Sequence, residues 1–403
     1  MGRSEKNSGL VIIICLIICG FLAAFIIKRY ISPMMDGTIT DIPPGTVYTD
    51  KDVPDEIAAL INDGVLRYAS GKLSGDERDA YEKLLMGVLA HADRIDIKSC
   101  GLDLDELKKV YSCLRNDYPE LFWISNNCDV YTTGNLITDC LPNYLYDLDS
   151  VKRMAVNITS LRDRLLDAMK NLDKYEKIMY VFDYIIDNTV YDNDSFNSFQ
   201  SGDDDPELEL SCNIYGTLFK GKALCEGYAK TFQYLVNSFG INSIYVTGVS
   251  KNQGHAWNYV FYGGDWYGMD ITWCDPQGAG DKKSYAYCMV DYQTLAAGHT
   301  EDMPYDLPEC KGGEYNYYIY NAYELSVFST ETLSEMFLRA YNQGSDFIEF
   351  HCASRAVYDD FLRAVETQEV FRCFDGIKEN YGVEIEQLSY GLMEEVLSVR
   401  VEL

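Results

Sequence analysis

Two adjacent glycines, Gly263 and Gly264, separate two alternating aromatic runs, HAWNYVFY (255–262) and DWYGMDIT (265–272). No other feature constrains the fold of this chain as tightly. Gly-Gly between alternating runs is a β-hairpin signal, because tight hairpin turns need positive φ at their central residues. A two- or four-residue loop centred on the pair sets Tyr262 opposite Asp265, and so Trp257 opposite Asp270 and His255 opposite Thr272. Facing residues share a side of the sheet. His255, Trp257, Asp270 and Thr272 then lie on one face, with His255 and Asp270 as diagonal neighbours within reach of a side-chain hydrogen bond. A three-residue loop would put the two on opposite faces. Residues 244–248 read as a further strand ahead of the pair.

Upstream, Tyr228, Phe232, Leu235, Val236 and Phe239 recur at helical spacing, and Gly240 supplies the stop. Cys225 therefore falls at or just before the first turn of a helix ending near Phe239. There the unpaired N–H groups and the positive end of the helix dipole favour a thiolate over a thiol. Gly221 and Gly227 leave room for another backbone or a substrate to come close. A cysteine alone is more often a small buried hydrophobe than a nucleophile. The His255–Asp270 pair shifts that balance, because Asp270 can hold the imidazole tautomer and stabilise the imidazolium. Trp257 beside them would keep water off the pair.

The blocks GKALCEGYAKTF (221–232), GHAWNYV (254–260) and WYGMDITWCDP (266–276), with NIYGTLFKG (213–221) as a run-in, resemble the catalytic blocks of the transglutaminase-like superfamily. The resemblance implies an α+β, papain-like core: a helix bearing the cysteine packed on an antiparallel sheet bearing histidine and aspartate. It implies Cys225 as nucleophile, His255 as general base and acid, and Asp270 as orienter. Cys274 departs from the pattern, since relatives often carry a polar or acidic residue after the Trp, and it puts a second thiol near the site. The Cys225 N–H is expected to be one oxyanion donor. Tyr215 and Trp257 are candidates for the second, or for the substrate groove.

Gly9–Ile27 is an uncharged apolar run of 19 residues followed by Lys28 and Arg29, long enough to span a bilayer. It is longer than a signal-peptide core, and no small-x-small cleavage site follows it before the charges. We expect a transmembrane signal anchor over 9–31 after a short tail (1–8), with the remainder outside the cell and a stalk over 32–54. Both ends of the run carry positive charge, so the flanking charges do not fix orientation. A net charge of −29 leaves no basic surface for phosphates, and we expect no nucleic-acid partner. Four histidines without an H-E-x-x-H pattern give no catalytic metal, and no cofactor is expected. An odd number of cysteines beyond the apolar run leaves at least one thiol unpaired.

A small N-terminal α/β domain is expected over 55–150, opening with capping boxes at Ser74–Glu77 and Asp103–Glu106. Its DYPELFW block (117–123) is similar to a domain ahead of the catalytic core in some bacterial transglutaminase-like proteins. The catalytic domain is expected over 151–310, with a helix at Lys174–Asn188, a long polar loop over Thr189–Ser211 and a late strand at Tyr285–Val290. His299 beyond it is read as a packing or exposed residue. A C-terminal α/β domain (311–403) is expected to hold a strand at Phe347–Phe350, helices at Arg355–Val365 and Val370–Tyr381, and strands at Glu384–Tyr390 and Glu394–Glu402.

These readings describe a membrane-anchored, extracytoplasmic cysteine enzyme that cleaves or transfers an acyl group from a peptide or protein amide. Cell-wall peptide is among the candidate substrates, and the bilayer is the partner of 9–31. The triad alone does not choose between hydrolysis and transfer to an amine. The resemblance leans toward hydrolysis; a glutamine cross-linking transglutaminase and a non-catalytic surface scaffold are the alternatives.

Overall fold

The computed structural model describes residues 48, 50–202, 207–275, 283–385 and 387–403. The expected membrane anchor (9–31), most of the stalk (32–47 and 49) and the acidic run at 203–205 lie outside the described residues. No helix among the described residues is long and apolar enough to cross a membrane. The fold is mixed α+β, and the chain groups into two compact units. One comprises Leu73–Ser112 and Trp123–Lys152 with the described part of the segment up to Ala58; the other comprises Ala59–Lys72, Cys113–Phe122 and Arg153–Leu403.

In the first unit both capping boxes form. Ser74 and Glu77 exchange side-chain-to-backbone hydrogen bonds at 2.7 and 3.3 Å at the start of α1 (Gly75–Leu89). β1 (Ile95–Asp96) follows. Asp103 and Glu106 do the same at 2.9 and 3.0 Å ahead of α2 (Leu104–Asp117). Each box satisfies two of the N–H groups that a helix start leaves without partners. β2 (Ile124–Thr133) and β3 (Leu136–Tyr144) complete an antiparallel sheet in the order β1-β3-β2.

α3 (Leu148–Ala168) leads to α4 (Lys174–Asn188), which buries Ile178, Val181, Phe182 and Ile185 as its spacing predicts. The stretch 189–211 is not the open loop its polar composition suggests. β4 (Val190–Tyr191) pairs in parallel with β5 (Lys222–Ala223), and helices run over Asn193–Ser201 and Leu208–Ser211. The polar residues there act as caps. Asp192 accepts from the Ser195 N–H at 3.2 Å and from the Ser211 hydroxyl at 2.6 Å, which is how short polar side chains start helices.

α5 (Cys225–Asn237) is buried along most of its length, with Tyr228, Phe232, Leu235 and Val236 enclosed. Burying four such side chains contributes roughly 2 kcal/mol apiece. The sheet beside it runs β10-β6-β7-β8-β9, all antiparallel: β6 (Ser243–Ser250), β7 (Gln253–Tyr262), β8 (Asp265–Met269), β9 (Cys288–Val290) and β10 (His299–Glu301). Asn258 donates to the Ala229 carbonyl at 3.0 Å and Gln233 to the Ser243 carbonyl at 3.3 Å, tying helix to sheet.

The hairpin takes the two-residue loop. Gly263 and Gly264 have φ of 62° and 98°, and Tyr262 pairs with Asp265 and Asn258 with Met269. β8 stops at Met269 rather than Thr272. The Asp270 carboxylate accepts from the Trp273 N–H at 3.1 Å and turns Ile271–Cys274 into one turn of helix. β9 is shorter than the expected Tyr285–Val290.

In the C-terminal part, β11 (Glu324–Leu325), α6 (Thr330–Asn342), β12 (Phe347–Cys352), α7 (Arg355–Glu366), β13 (Tyr390–Met393) and β14 (Ser398–Glu402) form a sheet ordered β11-β12-β14-β13 with packed helices. Phe337, Phe350, Phe361, Val399 and Val401 make its core. Residues 370–381 form a 3-10 segment (Glu369–Phe374) and a separate helix (Asp375–Tyr381), not one helix. The strand expected over Glu384–Tyr390 lies instead at Tyr390–Met393, because the turn before β14 sets which residues can pair with it. Buried Glu349 on β12 accepts from the Ser284 hydroxyl and the Tyr285 N–H, each at 2.9 Å, and from the Tyr318 hydroxyl.

Candidate active site

Cys225 is the first residue of α5. Leu224 in the N-cap position makes no side-chain hydrogen bond, so no side chain caps this end of the helix. Asp192, Leu224 and Ser211 fix the entry: the Asp192 N–H donates to the Ala223 carbonyl at 2.9 Å and the Leu224 N–H to the Ser211 carbonyl at 2.8 Å. Gly227 is required here, since a Cβ would sit 2.5 Å from the Ser211 carbonyl oxygen. The Cys225 side chain packs against Ala229, Tyr245 and Ala256. Just behind it lies a nearly buried ion triad. Glu226 accepts from Lys230 at 2.7 Å and from Arg115 at 3.0 Å. Burial opposes ionisation of Glu226, but the two cations outweigh it and its pKa falls below the ordinary value.

His255 Nε2 lies 2.7 Å from Asp270 Oδ2. That contact occupies one ring nitrogen and leaves Nδ1 as the atom open to Cys225, which lies near enough to raise the His255 pKa. Burial alone would lower the His255 pKa. The Asp270 carboxylate, by charge and hydrogen bond, and Cys225 together outweigh it and bring it up to about 10. Burial would raise the Asp270 pKa, yet His255 and then His299 hold it down at about 2. The Asp270 carboxylate thus favours the cationic form of the imidazole.

Trp257 does not flank an open groove. It is 1% exposed and packs beneath the histidines, with ring centroids 6.0 Å from His255 and 4.9 Å from His299. Its indole N–H is enclosed, so it has no open face for a substrate. The partly exposed aromatic beside His255 is Trp273, edge-on at 6.0 Å, with the Lys251 ammonium 3.4 Å above its ring. Tyr215 stacks on Phe219 at 4.8 Å and on Phe122 at 6.0 Å. Cys274 is fully buried, and burial pushes its thiol well up.

Two residues near the pair carry no sequence signal. Tyr191 is set opposite Ala223 by the β4–β5 pairing, and burial followed by the proximity of Cys225 raises its phenol pKa, so it stays a donor. His299 is buried on β10, with Nε2 2.8 Å from the same Asp270 Oδ2 that His255 meets. Only the return of β10 to β6 brings it there, and nothing local in the sequence announces that pairing. The ligand atoms of His255, Asp270 and His299 lie within 4.8 Å of one another, close enough to surround a metal ion. Hydrogen bonding around the shared carboxylate accounts for their geometry.

Residues 163–271, which include Cys225, His255 and Asp270, match the family model of the transglutaminase-like superfamily. Among solved structures, a TGase is 19% identical over 40% of this chain and 46% of its own, with a TM-score of 0.27. A candidate cysteine protease from Cytophaga hutchinsonii is 14% identical over 43% of this chain and 65% of its own, with a TM-score of 0.25. The chain therefore spans about half of the first and just under two thirds of the second. No curated protein matches it.

Proposed function

We propose that this chain, whose residues 163–271 carry a transglutaminase-like core, is a cysteine enzyme that transfers the acyl group of a peptide or protein amide, with water as the favoured acceptor. One observation carries the reading: His255 is engaged by Asp270 through Nε2 at 2.7 Å, and Cys225, at the start of α5, packs against Ala256 next to that histidine. In the first step Cys225 Sγ, as the thiolate paired with the protonated His255 imidazole, attacks the amide carbonyl carbon. The oxyanion forms against the N-terminus of α5, where the Cys225 N–H is the nearest backbone donor. Collapse breaks the C–N bond, the amine leaves with the proton from His255, and a thioester remains. A second nucleophile, deprotonated by His255, releases the acyl group.

Water at about 55 M competes with any amine acceptor, so a transferase needs a dry, walled channel to its thioester. Trp273 is the aromatic that stands partly exposed beside His255, while Trp257 is sealed beneath it. That arrangement supports hydrolysis. The apolar run at 9–27 supports a membrane-anchored, extracytoplasmic enzyme, tested by whether deleting 1–31 releases the protein from membranes. The test of the chemistry is a glutamine-containing peptide library offered with a primary-amine probe and read by mass spectrometry. Cys225-dependent backbone cleavage or deamidation is expected. Cys225-dependent amine incorporation without either would make this a cross-linking enzyme, and no turnover despite a reactive Cys225 would favour a binding role.

A further inference from the structure

We propose that His299 is a positioning residue for the Cys225–His255 chemistry, pinning the Asp270 carboxylate that orients the His255 ring. This rests on the reading of Cys225 and His255 as nucleophile and base. The Asp270 side chain is fully buried and held at three points. Oδ1 accepts from the Trp273 N–H at 3.1 Å, and Oδ2 meets His255 Nε2 at 2.7 Å and His299 Nε2 at 2.8 Å. With only the first two contacts the carboxylate could pivot about the backbone turn and carry the His255 ring with it. The third contact removes that freedom.

His299 is itself fixed at its other nitrogen, where Nδ1 lies 3.0 Å from the Leu295 carbonyl oxygen. A carbonyl can only accept, so Nδ1 carries a proton. The contact between Nε2 and Oδ2 then needs a further proton between those two atoms, whichever of them holds it. Two imidazoles share one carboxylate, each through a hydrogen-bonded proton. The rings are 5.6 Å apart, and Trp257 and Tyr287 pack on His299 at 4.9 and 5.2 Å, so it has little room to turn away. A histidine that merely fills space needs none of these bonds. One placed to hold a buried carboxylate needs both nitrogens engaged, as they are here.

The test compares His299→Phe and His299→Gln in the full-length protein, with Asp270→Asn and His255→Ala as references. Two readouts are used: Cys225 alkylation by iodoacetamide at neutral pH, and the strongly downfield imidazole N–H resonances in proton NMR. Wild type is expected to show two such resonances. His299→Phe should lose one and shift the other, and slow Cys225 alkylation on the order of 10-fold, the scale of a misplaced second group. His299→Gln, whose amide N–H can still reach Oδ2, should recover most of that rate, which a purely space-filling role would not predict. If His299→Phe does not fold, the Gln variant and the wild-type spectrum decide alone: one downfield resonance in wild type, or a His299→Gln spectrum that still carries both resonances unmoved, would overturn the proposal. Alkylation that is also indifferent to His255→Ala would sink the underlying reading of the site. Indifference to His299 with sensitivity to His255 would sink only this inference.

Discussion

His255 and Asp270 meet across a strand gap: Asp270 caps the turn that ends β8, and its Oδ2 reaches the His255 ring at 2.7 Å. Asp270→Asn keeps the volume and the hydrogen bond to the Trp273 N–H, and loses the charge that holds His255 cationic. We expect the fold to survive, as judged by circular dichroism, and turnover on a cleaved peptide to fall by roughly 10²–10⁴. A fully active Asp270→Asn protein would show that another group orients the ring.

The pair also predicts how stability depends on pH. His255 titrates at about 10 in the fold against 6.5 when free, so its contribution is complete below 6.5 and is lost as pH rises through about 10. Asp270 titrates at about 2 against 3.8, so its contribution is complete above 3.8 and is lost as pH falls through about 2. Both are present between 3.8 and 6.5. The gap in Tm between wild type and His255→Ala should be widest in that window and narrow on both sides. A gap that widens between pH 7 and 10 would contradict the ion pair.

Behind Cys225, the charges of Lys230 and Arg115 converge on Glu226, with side-chain exposures of 8%, 16% and 19% in that order. Replacing Glu226 by Leu takes the carboxylate away from the buried Lys230 ammonium, which costs about 3–5 kcal/mol. Urea unfolding should show that loss, and the double variant Glu226→Leu/Lys230→Met should recover much of it. Equal stability of the single and double variants would mean that the triad is solvated in solution.

Gly248 lies between His255 on β7 and Glu301 on β10, and a Cβ there would fall 2.1 Å from the Thr300 carbonyl oxygen and 2.7 Å from the Trp257 ring. The first neighbour is backbone and cannot step aside without moving β10. Gly248→Ala should therefore cost about 1–3 kcal/mol in thermal or urea unfolding. A wild-type melting curve would mean that β10 is not fastened as described.

Local signals explain what the sequence made legible. The Gly263-Gly264 turn sets the parity of β7 and β8, and the diagonal contact of His255 with Asp270 follows from it. The spacing of Tyr228, Phe232 and Leu235 places Cys225 at a helix start, and Ser74–Glu77 and Asp103–Glu106 mark helix starts by their own hydrogen bonds. Less legible features depend on partners far along the chain. His299 reaches Asp270 only because β10 pairs with β6, some 50 residues earlier (His299 with Ser250). Trp257 alternates as a site residue should, but Trp257 is covered by His299 and by packing at Gly248 that no pattern around it reveals. The polar stretch 189–211 reads as a loop because caps and loops draw on the same residues, and Asp192 acts as a cap.

Glu349 sits in the C-terminal sheet, yet its hydrogen bonds hold Ser284 and Tyr285, and two residues later the Tyr287 carbonyl accepts the Asp270 N–H at 3.0 Å. The backbone seat of Asp270 is therefore tied to a point some 80 residues downstream. A fragment that stopped near residue 310 would leave the Ser284 hydroxyl and the Tyr285 N–H without the Glu349 carboxylate that now accepts from them.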